Sequence, residues 1–345
     1  MRALRIGVLG SARIAHSFVQ AVRPSSQLVV SAIASRDGSK ARATAAQLHI
    51  PRAFGSYEEL LADPDIDAVY NPLPNSMHAA WTMRALNAGK HVLCEKPLCL
   101  GGAQARAMFD AARAAGRHLV EGFPYRAQPQ TLKLRELLCA GTIGQVRLIQ
   151  ASFGFTLANP GDFRLDAALG GGAVLDLGTY CVSLIRMIAA ERPQRVSATA
   201  QWSTPADGAG AVDRTLAATL EFGSGLLAQV SCSFDSCHHR QALIVGSGGM
   251  IQTTFLNHTS ASAPGSLLLR VGTDRNAVDS VVHTSEANGF LAEAESFAAM
   301  IKHGPEHWLG ASREESIDIA LTLEAMLQSA RERRAVEIPL IPQET

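Results

Sequence analysis

Arg5-Ile6-Gly7-Val8-Leu9-Gly10-Ser11-Ala12-Arg13-Ile14-Ala15 is the stretch that decides the fold. It reads as a short apolar strand, a glycine turn and a helix beginning near Ile14. Aligned on Gly10, the turn is G-x-A-x-x-A, against the G-x-G-x-x-G/A of dinucleotide-binding βαβ units. Gly10 permits the tight turn. Ala12 replaces the second glycine and holds the backbone slightly further from a pyrophosphate. Ala15 is small enough for the helix to pack near the strand. The helix start offers unpaired N–H groups and a partial positive charge to phosphates. Gly10, Ser11, Ala12, Arg13 and Ile14 are the expected cofactor-binding turn. An ordinary strand-to-helix connection has the same local pattern, so the surroundings must decide.

The surroundings continue the alternation. Leu28–Ala34, Ala68–Tyr70, His91–Cys94 and His118–Glu121 read as buried strands. Helical stretches at Lys40–Leu48, Met77–Ala88 and Ala103–Ala115 lie between them. Strands alternating with helices predict a parallel, doubly wound sheet with right-handed crossovers. After Phe123 the pattern changes. A helix at Thr131–Cys139 precedes strands at Arg195–Trp202, Leu216–Phe222, Leu226–Phe234 and Ala242–Val245. Gly, Asp and Ser turns separate them. The fold class is α/β, with a Rossmann domain at 1–123 and a C-terminal domain at 124–345 built on a mostly antiparallel sheet. A hairpin loop is expected at Ser203–Ala211. A helix is expected around Glu314–Arg331, its packing partner undecided.

The second strand ends in Ser35-Arg36-Asp37, about 20 residues beyond the turn, where an acidic residue would take the adenosine ribose of NAD. Here Ser35 and Arg36 hold the strand end. A guanidinium suits a 2′-phosphate through charge-assisted, bidentate bonds. NADP is therefore expected over NAD, with Lys40 adding charge. Asp37 either reaches a ribose or caps the following helix.

Three segments carry candidate chemistry. Tyr70-Asn71-Pro72-Leu73-Pro74-Asn75-Ser76-Met77-His78 places two prolines after a strand, which forces an extended loop. Cys94-Glu95-Lys96-Pro97 puts a lysine at a strand end facing the ligand crevice. Gly170-Gly171-Gly172-Ala173-Val174-Leu175-Asp176-Leu177-Gly178-Thr179-Tyr180 has Asp176 and Tyr180 four apart, on one face if helical. A free tyrosine is a poor base near neutrality; a nearby ammonium makes it a better one. Each segment also has a bland reading: a rigid turn, a surface ion pair, a helix cap with a core aromatic.

Lys+Arg and Asp+Glu both number 31, so no broad basic surface for nucleic acid or anionic membrane is expected. The apolar runs look shorter than the ~20 residues of a membrane span, and no signal peptide is read. The six scattered cysteines, none in a C-x-x-C pair, predict reduced thiols and a cytoplasmic location. Cys232, Cys237, His238 and His239 lack zinc-site spacing, so no metal is expected.

Taken together, the glycine turn, Glu95-Lys96-Pro97, Glu121-Gly122-Phe123-Pro124-Tyr125-Arg126 and Gly170 to Tyr180 resemble the Gfo/Idh/MocA oxidoreductases over nearly the whole chain. They are most similar to the branch of dimeric dihydrodiol dehydrogenases and NADP-dependent D-xylose dehydrogenases. That resemblance implies a catalytic Lys96 with Asp176 and Tyr180 beside it, tyrosine standing where many members carry histidine. It also implies that Asn71, Pro72, Leu73, Asn75, His78 and Glu95 lie near the cofactor, and that Tyr125, Phe155 and Arg164 line the substrate pocket. Gln128 stands where this branch often has histidine. The expected reaction moves a hydride between nicotinamide C4 and a sugar or polyol carbon. Homodimers or homotetramers are expected. Two rivals stay open here: an NAD-dependent glycoside hydrolase and a non-catalytic NADP-binding regulator.

Overall fold

A computed structural model describes residues 2–203, 210–255 and 265–339. Residues 204–209 of the expected hairpin loop lie outside them. Six segments form one parallel sheet: β1 (Leu4–Leu9), β2 (Leu28–Ala34), β3 (Arg52–Phe54), β4 (Ala68–Asn71), β5 (His91–Glu95) and β6 (Leu119–Gly122), in the order β3-β2-β1-β4-β5-β6. Val8, Leu9, Val69 and Val92 are fully buried, because helices cover both faces. The crossovers carry α1 (Arg13–Val22), α2 (Gly38–Gln47), α3 (Tyr57–Ala62), α4 (His78–Asn87) and α5 (Gly102–Ala115). The order reverses between β1 and β4, and the crevice at their C-terminal ends is where such sheets bind ligands. Neither β3 nor α3 is predicted by the alternation. Three and six residues are too few to display a period.

After α6 (Pro129–Cys139) comes β7 (Val146–Thr156), then a π turn (Val174–Gly178) that runs into α7 (Thr179–Ala189). The following strands are β8 (Pro193–Trp202), β9 (Asp213–Phe222), β10 (Leu227–Ser233), β11 (Asp235–Gly246), β12 (Gly249–Thr253), β13 (Ser266–Val271) and β14 (Asp279–His283). With the short β15 (Val336–Glu337) they form a nine-stranded sheet, β14-β13-β12-β11-β7-β10-β9-β8-β15. All its pairings are antiparallel except β7 with β10. Alternation sorts its faces: Leu216, Ala218, Leu220 and Phe222 of β9 are buried. The opposite face is open and polar, a hollow of about 1390 Å³ lined in part by Gln150, Ser152, Thr219, Gln229 and Gln241.

Two late helices return to the first sheet. α8 (Gly289–His303), which the alternation does not predict, packs on α1. Its Phe290 ring meets Phe18 of α1 at 5.9 Å, and Phe18 stacks on Tyr70 at 3.8 Å. Lys302 Nζ donates to the Gln27 carbonyl at 3.0 Å, and Ser25 donates to Glu295 at 2.7 Å. α9 (Arg313–Glu332) begins in a Ser312–Glu315 capping box and packs on α5, α7 and β8. Its Glu324 accepts the Gly102 N–H at 2.9 Å.

By length and composition alone, Ala167–Ala189 would pass for a membrane span. Of its most apolar window 78% is buried inside the protein, as in a core helix.

Candidate active site

The glycine turn has the geometry that a dinucleotide phosphate requires. Gly10 sits at φ +84°, a left-handed conformation, and a Cβ there would meet the Leu73 side chain at 3.0 Å. Ala12, at the N-cap of α1, supplies no side-chain cap, so the first N–H groups of the helix keep no such partner. The Ser11 hydroxyl is buried without a hydrogen-bond partner among the described residues. An orphaned hydroxyl beside an uncapped helix start fits an incoming anion.

At the end of β2, Ser35 is buried and Arg36 exposed. Asp37 caps α2: its carboxylate accepts the N–H groups of Ser39 at 2.8 Å and Lys40 at 3.3 Å. Those bonds, the Ser39 hydroxyl first, hold its pKa below the usual carboxylate range. The acidic group is thus occupied by its own helix, and Arg36 is the charge left at the strand end.

The loop after β4 is tied down from inside. Asn71, fully buried, donates to Thr82 Oγ1 at 3.1 Å and to the His78 carbonyl at 3.3 Å. His78 is buried too, its ring nitrogens 2.8 Å from the Pro97 carbonyl and 2.7 Å from the Leu73 carbonyl. Burial pushes its pKa down to about 4. Asn71 and His78 therefore lock the Pro72–Leu73 turn to the strand end that carries Lys96. Asn75 faces the other way across the crevice and donates to the Gly170 carbonyl at 2.8 Å. A Cβ on Gly170 would come within 2.9 Å of the Asn75 Cβ, so this position admits only glycine.

The charged centre forms where the two sheets meet. Lys96 Nζ donates to the Asp176 carboxylate and to the Asp176 carbonyl, both at 2.8 Å. The same ammonium lies 4.8 Å from the centroid of the Tyr180 ring. Arg164 grips Asp162 through two bonds of 2.9 Å and reaches the other Asp176 oxygen at 3.4 Å. Burial disfavours the Lys96 ammonium, but Asp176 outweighs it, and the lysine stays protonated well above neutrality. Burial likewise opposes the Asp176 charge, and Lys96 and Arg164 more than offset this, so its pKa is lowered. Lys96 is thereby a fixed cation and not a titrating group.

Asp176 and Tyr180 are not related by plain α-helical spacing. The Thr179 N–H bonds back to the Val174 carbonyl, closing a π turn that inserts one residue before α7. Both side chains nonetheless meet Lys96. The turn is anchored by Asp213 of β9, whose carboxylate accepts the Val174 N–H at 2.7 Å. Burial pushes the Asp213 pKa up to about 7. Beneath Lys96, Glu95 accepts the Tyr70 hydroxyl at 2.6 Å, and burial raises its pKa.

Tyr180 sits in an aromatic nest. Its ring is 5.7 Å from Phe153, 5.9 Å from Phe123 and 6.2 Å from Tyr125. Tyr125 is wholly buried and shares a 2.9 Å bond with Ser183, so it backs the nest from within. Phe155 lies under the Arg164 guanidinium at 5.3 Å. Asp213 and Arg240 are the site neighbours that sequence reasoning misses. Asp213 opens β9 beside Arg214, and Arg240 lies in the polar half of β11, so neither stands out in the sequence.

Cys232, Cys237, His238 and His239 do not converge. Cys232 is buried, Cys237 and His238 are exposed, and His239 bonds Ser152 at 2.7 Å.

Comparison with known proteins gives this geometry a lineage. The profile of the oxidoreductase family with an NAD-binding Rossmann fold matches residues 4–123, and that of the GFO/IDH/MocA C-terminal domain matches 131–252. The chain belongs to the Gfo/Idh/MocA family. As a Gfo/Idh/MocA protein it is an NAD(P)-dependent oxidoreductase. It is 36% identical to D-xylose 1-dehydrogenase (NADP(+)) 2 of Haloferax volcanii, over 97% of this chain and 100% of that one. It is 37% identical to trans-1,2-dihydrobenzene-1,2-diol dehydrogenase of Mus musculus, over 72% of this chain and 74% of that one. Among solved structures it resembles KijD10, a 3-ketoreductase from Actinomadura kijaniata in complex with NADP and TDP-benzene. The TM-score is 0.83 at 29% identity, covering 95% of this chain and 98% of that one.

Proposed function

We propose that this chain is an NADP(H)-dependent dehydrogenase or reductase of a sugar or sugar-like polyol, with Lys96, Asp176 and Tyr180 as its catalytic group. One observation carries the reading: a buried ammonium, fixed by a carboxylate at 2.8 Å, is held 4.8 Å from the centroid of the Tyr180 ring. Bound at the glycine turn, the nicotinamide cofactor supplies or accepts the hydride. Gly10 to Ile14 receive its pyrophosphate. Ser35 and Arg36 receive the 2′-phosphate, since Asp37 is spent on α2. Pro72, Leu73, Asn75 and Glu95 shape the crevice wall, with Asn71 and His78 behind them.

Tyr180 takes the hydroxyl proton in oxidation and returns it in reduction. Lys96, permanently charged, favours the phenolate and holds the substrate oxygen. Asp176 fixes Lys96, and Arg164 with Phe155 borders the substrate. Tyr125 supports Tyr180 from behind. The proposed division is a cofactor domain at 1–123 and a substrate and oligomerisation domain at 124–345, working in the cytoplasm. A second copy of the chain is the proposed cover of the open polar sheet face, in a homodimer or homotetramer.

The test is a panel of aldoses, keto-sugars and polyols with NADP+ and NADPH, followed by absorbance of the reduced cofactor. Net reduction of NADP+ by a free sugar supports the reading. Sugar release from a glycoside without net cofactor change would replace it with a hydrolase, and silence across the panel with tight NADP binding would replace it with a regulator.

A further inference from the structure

Among the described residues, Arg240 of β11 stands beside this centre without a carboxylate partner. Its guanidinium carbon lies 5.5 Å from the Phe153 ring and 5.8 Å from the Phe255 ring. Phe153 is the ring that also packs 5.7 Å from Tyr180, so arginine and tyrosine flank one aromatic wall. Arg240 Nε donates to the Thr254 carbonyl at 3.0 Å. Its two terminal nitrogens make no hydrogen bond among the described residues.

Among the described residues, the carboxylates of this centre are engaged elsewhere. Asp176 holds Lys96, Asp162 holds Arg164, and Glu95 accepts from Tyr70 and from the Lys96 N–H. Residues 256–264, which follow Phe255 in the chain, contain no Asp or Glu. Lys96 and Arg164 are each matched by an acid, and among the described residues Arg240 remains as the positive charge near Tyr180 without an acid partner.

Such a group is costly to maintain. Burial works against the Arg240 charge and lowers its pKa, with the Tyr180 hydroxyl as the one opposing influence. Stacking on two rings holds the guanidinium in place but uses none of its terminal N–H donors. Those donors form a planar fork that matches the two oxygens of a carboxylate or a phosphate ester. His238, on the same strand, adds a ring 6.4 Å from Phe153.

We infer that the substrate of this site carries an anionic group, a carboxylate or a phosphate ester, and that Arg240 receives it. The inference rests on the reading of Lys96, Asp176 and Tyr180 as the hydride-transfer centre. It narrows the substrate from sugars in general to acidic sugars.

The test compares kcat/KM of the NADP-loaded enzyme for glucose, glucuronate and glucose 6-phosphate. One anionic sugar should exceed glucose by about 10- to 100-fold, the scale of a charge-assisted bidentate pair. Which one leads tells carboxylate from phosphate. Arg240→Gln should bring the ratio of anionic to neutral kcat/KM close to one, and Arg240→Lys should retain part of it. A wild-type enzyme that prefers glucose overturns the inference, even if Arg240→Gln does not fold. Equal losses for all three sugars in Arg240→Gln also overturn it. If no sugar is turned over, the redox reading fails separately. Binding of glucuronate and glucose 6-phosphate to the NADP-loaded protein, by tryptophan fluorescence, then decides: binding lost in Arg240→Gln sustains the inference, and its absence in the wild type ends it.

Discussion

Replacing Tyr180 with phenylalanine separates chemistry from packing more cleanly than any other single change here. The ring contacts to Phe153, Phe123 and Tyr125, and the Lys96 ammonium 4.8 Å away, all survive the substitution. Only a hydroxyl is removed. Folding should therefore lose no more than one hydrogen bond, about 0.5–1.5 kcal/mol. Turnover should fall ~10²–10⁴-fold, the usual scale for general acid–base catalysis. At about 1.4 kcal/mol per factor of ten, that is roughly 3–5 kcal/mol of transition-state stabilisation. Urea unfolding measures the first quantity, and steady-state reduction of NADP+ by the true substrate measures the second. NADP(H) affinity should change little, and the basic limb of the oxidative pH profile should disappear. Lys96→Met should lose a similar amount. The double variant should fall well short of the product of the two, because the residues act as a unit. Near-full turnover in Tyr180→Phe would refute the assignment and leave the tyrosine as a packing residue.

Arg36→Ala should weaken NADP(H) by about 1–3 kcal/mol while sparing NAD(H), measured by fluorescence titration; equal losses would remove the 2′-phosphate role. Asp213 gives a pH prediction. Its folded pKa of about 7 lies above the unfolded value, so its contribution is complete below about pH 4 and fades as pH rises through 7. Asp213→Asn should therefore gain stability relative to the wild type between pH 5 and pH 8 in urea unfolding, and parallel pH curves would count against the buried acid. A chelator should leave activity unchanged, whereas a stoichiometric metal whose removal abolishes turnover would overturn the metal-free reading.

Apart from β3, the strands of the first sheet were legible because they are short, mostly apolar runs between turn and helix segments, and β2 matches its expected bounds of Leu28–Ala34. The glycine turn was legible because its constraints are local: one φ angle and one uncapped helix start. The second sheet was legible as strands but not as an order, since the parallel pairing of β7 with β10 joins segments about 80 residues apart, which no local period records. α8 left a readable trace: Phe290, Ala294, Phe297 and Ala298 fall at helical spacing. Its partner α1, far away in sequence, did not show. At the site, residue types pointed to Lys96, Asp176 and Tyr180. What stayed hidden was which groups are spent. Asp37 is consumed by its helix and His78 by two carbonyls, while Arg240 is left over, and only geometry does that accounting.

The packing of α8 on α1 bears on how this protein is made. Phe18 belongs to the first helix, yet Phe290, which packs against it, arrives some 270 residues later. A nascent chain carries an unfinished first layer, with apolar side chains awaiting their cover, for most of its synthesis. Vectorial folding from the N-terminus cannot close this unit early. Truncations before Gly289 should yield sticky, chaperone-dependent fragments, and fusion or interruption within 289–303 should harm the cofactor domain although these residues lie far from it in the chain.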